Sequence, residues 1–234
     1  MTHPPRVQCR ILPIAPGAFP MSMSPTHPKI AVVDYDMGNL HSVCKALANS
    51  GAHPEITDDP QVLAAADAVL LPGVGAFDPA IQHLRSRHLI APLQDIAATD
   101  KPFLGICLGM QILFDGSEEG QEPGLGIIPG WVRRFQSEPN LTIPHMGWNT
   151  LEYTQPDCPL WQGLSHPAWA YFVHSYYVDP KSGSVASAKV IHGTQAVTAA
   201  IAHNNLLATQ FHPEKSSTTG LKILDNFVGL VAQR

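Results

Sequence analysis

The stretch "KPFLGICLGMQILF", residues 101–114, joins a short apolar run to a segment with helical spacing. Residues 101–106 have the length and composition of a buried strand, and residues 108–114 are predicted to form the helix that follows it. Cys107 lies at the junction, with one glycine two positions before it and another two positions after it. A strand that passes through a tight turn into a helix is typical of parallel α/β sheets, so this stretch decides the fold class.

Strands and helices alternate in the residues that precede this stretch. Apolar runs at 29–36, 53–57 and 67–73 predict three further buried strands. Helical spacing follows the first strand, a short helix capped by Asp59 follows the second, and residues 84–98 supply helical material after the third. We therefore expect a mostly parallel sheet that is flanked by helices on both faces.

The pattern changes after residue 124, where short β-type runs are separated by turn residues. These runs predict an additional, partly antiparallel β portion, and residues from about Thr219 predict a final amphipathic helix. We see no internal repeat and no second domain boundary, so residues 29–234 are expected to form one domain. The predicted strands of this half lie at residues 131–135, 149–153, 170–178, 185–191, 196–205 and 206–214.

Residues 1–28 differ from the rest of the chain in composition. They hold seven prolines and two arginines but no acidic residue, which predicts a disordered N-terminal tail. Prolines at positions 13, 16 and 20 interrupt the only apolar stretch that could serve as a signal peptide. A cleaved transit peptide and a true start at Met21 or Met23 are the alternatives.

The composition argues against several broad classes of protein. The 234 residues are 44% hydrophobic and 14% charged, which is ordinary for a globular enzyme. A net charge of −5 argues against an extensive nucleic-acid or membrane-binding surface, and no apolar run approaches the ~20 residues of a membrane-spanning helix. The four cysteines and twelve histidines show neither disulfide-framework nor zinc-ligand spacing. We therefore expect a cytoplasmic protein without a metal or cofactor.

Cys107 has two interpretations. One is a small buried hydrophobe, which is the usual role of a free cysteine. The other is a nucleophile on a strained strand-to-helix turn, where the N-terminus of the helix would favour the reactive thiolate. The stretch alone leaves both interpretations open.

A cysteine nucleophile requires a base, and the base requires a group that orients it. In "QFHPEKS", His212 and Glu214 are two apart at the end of an apolar strand, so an extended chain would direct both side chains the same way. The alternative is an exposed charge pair at a solvated strand end. Three rival bases lack an acid in such a fixed relation, namely His145, His174 and His203.

The glycines of "LLPGVGAF", residues 70–77, end another predicted strand and could let backbone N–H groups face a developing oxyanion. An ordinary turn between a strand and a helix would use the same glycines. A phosphate-binding loop is less favoured, because no lysine follows at P-loop spacing. The two glycines of "PGVG" would also make rotation of a peptide in this segment easy.

Together these segments resemble the class I (triad) glutamine amidotransferases and, within that class, the glutaminase subunits of imidazole glycerol phosphate synthases. The likeness covers residues 29–234, and only residues 1–28 depart from the pattern. "LPGVGAF" and "PHMGWN" are particular to this subfamily, since other members of the class usually carry a PGG-type segment at the first. The segments that carry the resemblance are "DYDMGNLHSV", "LPGVGAF", "GICLGMQILFDGSEEG", "GLGIIPGWVRRF", "PHMGWN", "YFVHSYY" and "QFHPEKSSTTGLKILDNF".

The resemblance implies a role for each residue of the site. Cys107 would be the nucleophile, His212 the base and Glu214 the group that orients the base. Backbone N–H groups at Val74 and Leu108 would form the oxyanion hole. The substrate L-glutamine would be held by Gly75, Gln111, His174, Ser175 and Tyr176.

The resemblance also implies a reaction and a partner. L-Glutamine would be hydrolysed to L-glutamate and ammonia through a thioester, without a metal or cofactor. The ammonia would pass through a tunnel to a (β/α)8 cyclase subunit, which makes imidazole glycerol phosphate and an aminoimidazole carboxamide ribotide in L-histidine biosynthesis. The two subunits would form a heterodimer. Met146, Trp148 and Asn149 would lie at its interface, although the two large side chains could instead be core residues.

Three other functions compete with this interpretation. A different glutaminase of the same class would feed another synthase, which the subfamily segments disfavour. A cysteine peptidase of similar α/β design would act without a partner and would not account for "PHMGWN". A non-enzymatic binding module would have no need of Cys107, His212 or Glu214.

Overall fold

An eight-stranded sheet forms the centre of the fold. The computed structural model describes residues 27–234 of the chain. The strands of this part are β1 (Lys29–Val33), β2 (His53–Thr57), β3 (Ala68–Leu71), β4 (Phe103–Ile106), β5 (Gly116–Ser117), β6 (Gly130–Arg134), β7 (His145–Thr150), β8 (Glu152–Tyr153), β9 (Trp169–His174), β10 (Tyr176–Pro180), β11 (Ala186–His192), β12 (Gln195–His203) and β13 (Leu206–Thr209). Its α-helices are α1 (Leu40–Asn49), α2 (Pro60–Ala65), α3 (Phe77–Ser86), α4 (Ile90–Ala97), α5 (Leu108–Gln111) and α6 (Ser217–Ala232).

The order of strands in the large sheet is β2-β1-β3-β4-β13-β12-β11-β8. The pairings from β2 to β13 are parallel, and those from β13 to β8 are antiparallel. The predicted fold class, a mostly parallel sheet with an additional partly antiparallel portion, is therefore confirmed. The antiparallel strands extend the main sheet, and two small sheets, β10-β6-β5 and β7-β9, lie beside it.

The sheet is buried on both faces because alternate residues of its inner strands point to opposite sides. Ile30 and Val32 of β1 pack into one core with residues of α1 and α6. Ala31 and Val33 of the same strand pack into a second core with residues of α3 and α4. In the part of the chain described, none of the helices combines the length and apolar composition needed to cross a membrane.

Several predicted elements have different bounds in the structure. The helical material expected at 84–98 is two helices, α3 and α4, separated by a turn in which His88 has a φ of +57°. The strand expected at 170–178 is interrupted at Ser175, because β9 pairs with β7 whereas β10 pairs with β6. The helix expected after Cys107 ends at Gln111, well before residue 114.

The predicted disordered tail, residues 1–28, lies outside the described residues except for its last two. The Pro28 carbonyl accepts a hydrogen bond from the His53 N–H over 2.8 Å. Nδ1 of His27 lies 2.7 Å from the Gly51 carbonyl oxygen. Both residues therefore contact the end of α1 and the start of β2, and belong to the folded domain.

Candidate active site

A strained turn holds Cys107 between β4 and α5. Its dihedral angles, φ +55° and ψ −112°, lie outside the regions that L-residues ordinarily adopt, and such a conformation costs about 1–3 kcal/mol. The N–H of Cys107 donates to the Thr209 carbonyl of β13 over 2.7 Å. A Cβ on Gly109 would lie 1.9 Å from the Leu71 carbonyl oxygen, so only glycine lets α5 pack this closely on β3. The turn therefore has the strained geometry that was expected of a nucleophile.

His212 and Glu214 form a buried pair beside this turn. Because β13 runs parallel to β4, the residues that follow the two strands meet at the same edge of the sheet. Nδ1 of His212 lies 2.9 Å from Oε1 of Glu214, and the two side chains are 3% and 1% exposed. Glu214 lies in a 3₁₀ turn, Pro213–Lys215, so the pairing comes from this turn and not from the extended chain that we expected.

The surroundings of His212 keep its imidazole protonated near neutral pH. Burial alone would lower the pKa of His212, but the neighbouring Cys107 sulfur and Glu214 carboxylate outweigh burial and raise the pKa to about 9. An imidazole between a thiol and a carboxylate can take the thiol proton and stay paired with both negative charges.

A cavity of about 340 Å³ opens beside Cys107 and His212. This volume is at the lower end of the range for small-molecule sites. The cavity brings together both predicted oxyanion residues and all five residues predicted to hold the substrate. Besides Cys107 and His212, the residues that line the cavity are Val74, Gly75, Leu108, Gln111, Glu119, Pro144, Val173, His174, Ser175 and Tyr176.

Glu119 is a cavity residue that the sequence analysis did not identify. Its Oε2 accepts a hydrogen bond from the Phe77 N–H over 2.9 Å, at the start of α3. Burial raises the pKa of Glu119 above its ordinary value, and the Phe77 N–H offsets part of this effect. The residue follows β5 in a polar loop, where no local pattern distinguishes a cavity carboxylate from a solvated one.

Two buried glutamines connect the cavity to the Cys107 sulfur. Nε2 of Gln111 lies 3.1 Å from the Tyr176 carbonyl oxygen and 3.1 Å from Oε1 of Gln210. Nε2 of Gln210 lies 3.8 Å from Sγ of Cys107. Gln210 was also missed by the sequence analysis, because a polar residue at the end of an apolar strand usually faces solvent.

The three rival histidines are poorly suited to act as the base. His203 ends β12 beside the start of β13, at the opposite edge of the sheet from Cys107. His174 and His145 hydrogen-bond each other over 3.2 Å, and burial lowers their pKa values to about 3 and about 4, so both are neutral. Among residues 27–234, no group of three or more His, Cys, Asp or Glu side chains could hold a metal ion.

The predicted oxyanion hole is not assembled in this structure. The carbonyl of Gly73 accepts the Leu108 N–H over 3.3 Å, and the N–H of Val74 donates to the Met37 carbonyl over 2.9 Å. These carbonyl and N–H groups belong to one peptide unit, the one between Gly73 and Val74. Both predicted donors are therefore engaged within the protein, and a rotation of this single peptide would release both.

The predicted interface residues lie on β7, outside the cavity. Met146 is 63% exposed and Trp148 is 50% exposed, so the alternative that they are core residues is wrong. Trp169 of the paired strand β9 is 48% exposed on the same face, and the sequence analysis did not single it out. Asn149 is half-buried, and its Nδ2 lies 3.2 Å from Nε2 of His145 and 2.8 Å from the Ile191 carbonyl oxygen. Its side chain is therefore engaged inside the domain.

Comparison with known families gives a match over most of the chain. Residues 31–230 match the model of the family described as "Glutamine amidotransferase class-I". The chain is also similar to two solved structures, PurLQS from Thermotoga maritima (TM-score 0.69, 18% identity, 88% of this chain and 99% of that one) and a glutamine amidotransferase from the same organism (TM-score 0.60, 15% identity, 89% and 99%). At this identity, the structural likeness supports the fold alone.

Curated relatives match the chain at much higher identity. Relatives with the name "Imidazole glycerol phosphate synthase subunit HisH" include the following three. The protein of Acaryochloris marina is 69% identical over 86% of this chain and 94% of its own length. That of Gloeothece citriformis is 68% identical over 86% and 96%, and that of Trichormus variabilis is 65% identical over 88% and 98%.

Glu214→Gln should change the pH dependence of folding stability. Because the folded-state pKa of His212 lies above its ordinary value of 6.5, its proton stabilises the fold fully below about pH 6.5, and this contribution is lost as the pH rises through about 9. The variant removes the carboxylate that helps to raise this pKa. We expect it to be less stable than the wild type by about 1–3 kcal/mol at pH 7 and closer to the wild type at pH 10.

Denaturant unfolding of both proteins between pH 6 and pH 10 measures this difference. Glu55→Gln, at an exposed carboxylate on β2, is the matched control and should show no such pH-dependent difference. A stability difference between Glu214→Gln and the wild type that stays constant over this range would contradict the role of the pair.

Proposed function

The chain belongs to the class-I glutamine amidotransferases and, within them, to the family of HisH subunits of imidazole glycerol phosphate synthase; from this premise we propose how its site works and what it binds. It is a glutamine-hydrolysing enzyme subunit of histidine biosynthesis. The observation that carries the mechanism is the strained Cys107 beside the buried His212–Glu214 pair, at the wall of a cavity.

The reaction is amide hydrolysis through a thioester. The Cys107 sulfur, having passed its proton to His212, attacks the side-chain carbonyl carbon of glutamine. The C–N bond breaks as His212 returns the proton to the departing ammonia. A water molecule then attacks the thioester with His212 again as base, which releases glutamate and restores the thiol. Glu214 keeps the imidazole oriented and offsets its positive charge throughout.

The walls of the cavity suit the polar ends of free glutamine. Both protons of the Gln111 amide are used inside the protein, so its oxygen is the atom that it offers to the substrate. Glu119 supplies a carboxylate for the substrate's ammonium group. The backbone at Gly75, His174, Ser175 and Tyr176 supplies further donors and acceptors around the rest of the molecule.

The Gly73–Val74 peptide is the proposed switch of the reaction. In its present orientation, the Gly73 carbonyl accepts the Leu108 N–H, and the Val74 N–H donates to the Met37 carbonyl. A developing oxyanion would therefore find neither of these two N–H groups free. Gly75, with a φ of +105°, gives the chain after Val74 a conformation that favours glycine. A partner that binds the rotated form more tightly would activate the enzyme by shifting the population toward it.

The proposed partner is a (β/α)8 cyclase subunit that receives the ammonia in a heterodimer. The face of β7 and β9 that carries Met146, Trp148 and Trp169 is exposed and apolar, which suits a protein interface. A cytoplasmic setting completes the proposal, and Cys44, Cys107 and Cys158 are free thiols that fit a reducing compartment.

Cys107→Ser should abolish the release of glutamate from glutamine, because a hydroxyl is far less ionised than a thiol near neutral pH. The assay contains the cyclase subunit and its nucleotide ligand, and added ammonium should still drive the cyclase. Cys44→Ser, at a half-buried position on α1, is the control and should keep the wild-type rate. Near wild-type hydrolysis by the Cys107 variant would rule out the proposed mechanism.

The wild-type subunit alone should hydrolyse glutamine slowly, and the cyclase with bound nucleotide should raise the rate by about 10²-fold or more, since one oxyanion donor is worth about 10²–10³ in rate. Alkylation of Cys107 by iodoacetamide forms no oxyanion, so the partner should accelerate it far less. Full activity of the isolated subunit would contradict the switch. If the partner accelerated glutamine hydrolysis and alkylation equally, the switch would act on the Cys107 thiol and not on the oxyanion hole.

Trp148→Ala should weaken binding to the cyclase, because interface tryptophans often act as anchors that cost 2 kcal/mol or more when truncated, roughly thirtyfold in Kd. The melting temperature of the subunit should fall little, since the side chain is already half-exposed. Trp131→Ala, at an exposed tryptophan of β6, is the matched control for binding. Isothermal titration and thermal melts separate the effects, and a large loss of stability with unaltered binding would contradict the interface.

A further inference from the structure

The Tyr176 carbonyl fixes the orientation of two neighbouring side chains. It lies 3.1 Å from Nε2 of Gln111 and 2.8 Å from Nδ1 of His174. A carbonyl oxygen can only accept hydrogen bonds, so both partners must present an N–H to it. The backbone carbonyl of Tyr176 therefore determines which end of the Gln111 amide carries the NH₂ group.

Gln210 takes its orientation from Gln111. The same NH₂ group of Gln111 lies 3.1 Å from the side chain of Gln210, which must meet it with its oxygen. The NH₂ of Gln210 then lies on the other side of its amide, where Nε2 is 3.8 Å from the Cys107 sulfur. The direction of every contact from the Tyr176 carbonyl to the sulfur is thus determined, and the sulfur receives an N–H.

The sheet holds Gln210 in this place. The residue is fully buried, at 0% exposure, and its backbone N–H donates to the Ala199 carbonyl of β12 over 2.8 Å. The preceding residue, Thr209, accepts the N–H of Cys107. A buried amide is destabilising unless its polar atoms are paired, and here Gln111 and Cys107 are the partners of the two ends.

We propose that Gln210 is a further catalytic residue of glutamine hydrolysis, whose side-chain N–H donates to the Cys107 sulfur and stabilises it as a thiolate. The proposal rests on Cys107 being the nucleophile. The donor acts before the attack on glutamine and again when the thioester is hydrolysed and the sulfur leaves. Unlike His212, an amide does not titrate, so it stays with the sulfur while the imidazole exchanges its proton with the departing ammonia.

Other titratable groups also surround the sulfur. His212 faces it from the segment after β13. Tyr35, in the segment after β1, interacts with it electrostatically while its hydroxyl donates to the Pro72 carbonyl. Glu119 and His174 line the same cavity. These groups set the background reactivity of the thiol, and a substitution at Gln210 leaves all of them in the chain.

Two substitutions separate the donor from the size of the side chain. Gln210→Glu keeps the shape and can still accept from Gln111, but it replaces the N–H donor with a negative charge. Gln210→Met keeps a similar volume and removes the donor without adding charge. Gln61→Glu, at an exposed position on α2, is the control for the added charge.

The measurement is the rate of alkylation of Cys107 by iodoacetamide in the full-length chain, followed by peptide mass spectrometry from pH 5 to pH 10. Cys44 serves as an internal reference, because its rate should not change. At pH 7, Gln210→Glu should slow alkylation of Cys107 by roughly tenfold or more and move its pH dependence upward, since a hydrogen bond to a charged group is worth about this factor. Gln210→Met should act in the same direction with a smaller effect.

Cooperative thermal melts establish that each variant is folded before its rates are compared. An unchanged rate and pH profile for Cys107 in either folded variant would overturn the proposal. If Gln210→Glu does not fold, Gln210→Met decides the question alone. Glutamate release by the wild type is measured separately, so a failure of the proposed glutaminase function is distinguishable from a failure of the role of Gln210.

Discussion

The left-handed turn at Cys107 is enforced by the strands on either side of it, and the geometry of the site depends on that enforcement. On one side, the Leu71 carbonyl approaches Gly109 so closely that no side chain fits between them. On the other, the Thr209 carbonyl takes the Cys107 N–H. A strain of about 1–3 kcal/mol persists only where such contacts over-determine the backbone. Because the turn follows β4, which lies between β3 and β13, the Cys107 sulfur lies close to the segments that follow these two strands.

A second constraint is a chain of hydrogen bonds that joins the inward-facing side of β7 to the interior of the site. Asn149 donates to Nε2 of His145, and Nδ1 of His145 donates to Nε2 of His174. Nδ1 of His174 then donates to the Tyr176 carbonyl, which also orients Gln111. Both imidazoles are neutral because burial lowers their pKa values to about 4 and about 3. This chain of hydrogen bonds from Asn149 to the Tyr176 carbonyl therefore keeps one pattern of donors and acceptors throughout the neutral pH range.

Local sequence patterns were sufficient for the alternation of strands and helices in the parallel half of the fold, although not for the two separate helices α3 and α4. They were also sufficient to place the segments that carry Cys107 and His212 side by side. The apolar run before Cys107 and the run before His212 are adjacent parallel strands, so their following residues share an edge of the sheet. The patterns failed where a property depends on contacts between distant segments. Gln210 looks like a solvated strand end, and Glu119 looks like an ordinary loop acid. The break at Ser175 arises because the chain leaves one sheet for another.

No sequence pattern predicts the orientation of the Gly73–Val74 peptide, because the glycines on either side of Val74 leave the backbone free to adopt more than one conformation. In this structure, the carbonyl of Gly73 faces the Leu108 N–H, while Cys107 and His212 already lie together at the wall of the cavity. Under the proposed mechanism, this state of the site can bind glutamine and hold a reactive sulfur, yet it lacks stabilisation for the charge that forms during attack. Since oxyanion donors act only on the transition state, this arrangement separates binding from turnover. Control by a partner then requires no movement of Cys107 and no change in the turn that strains it.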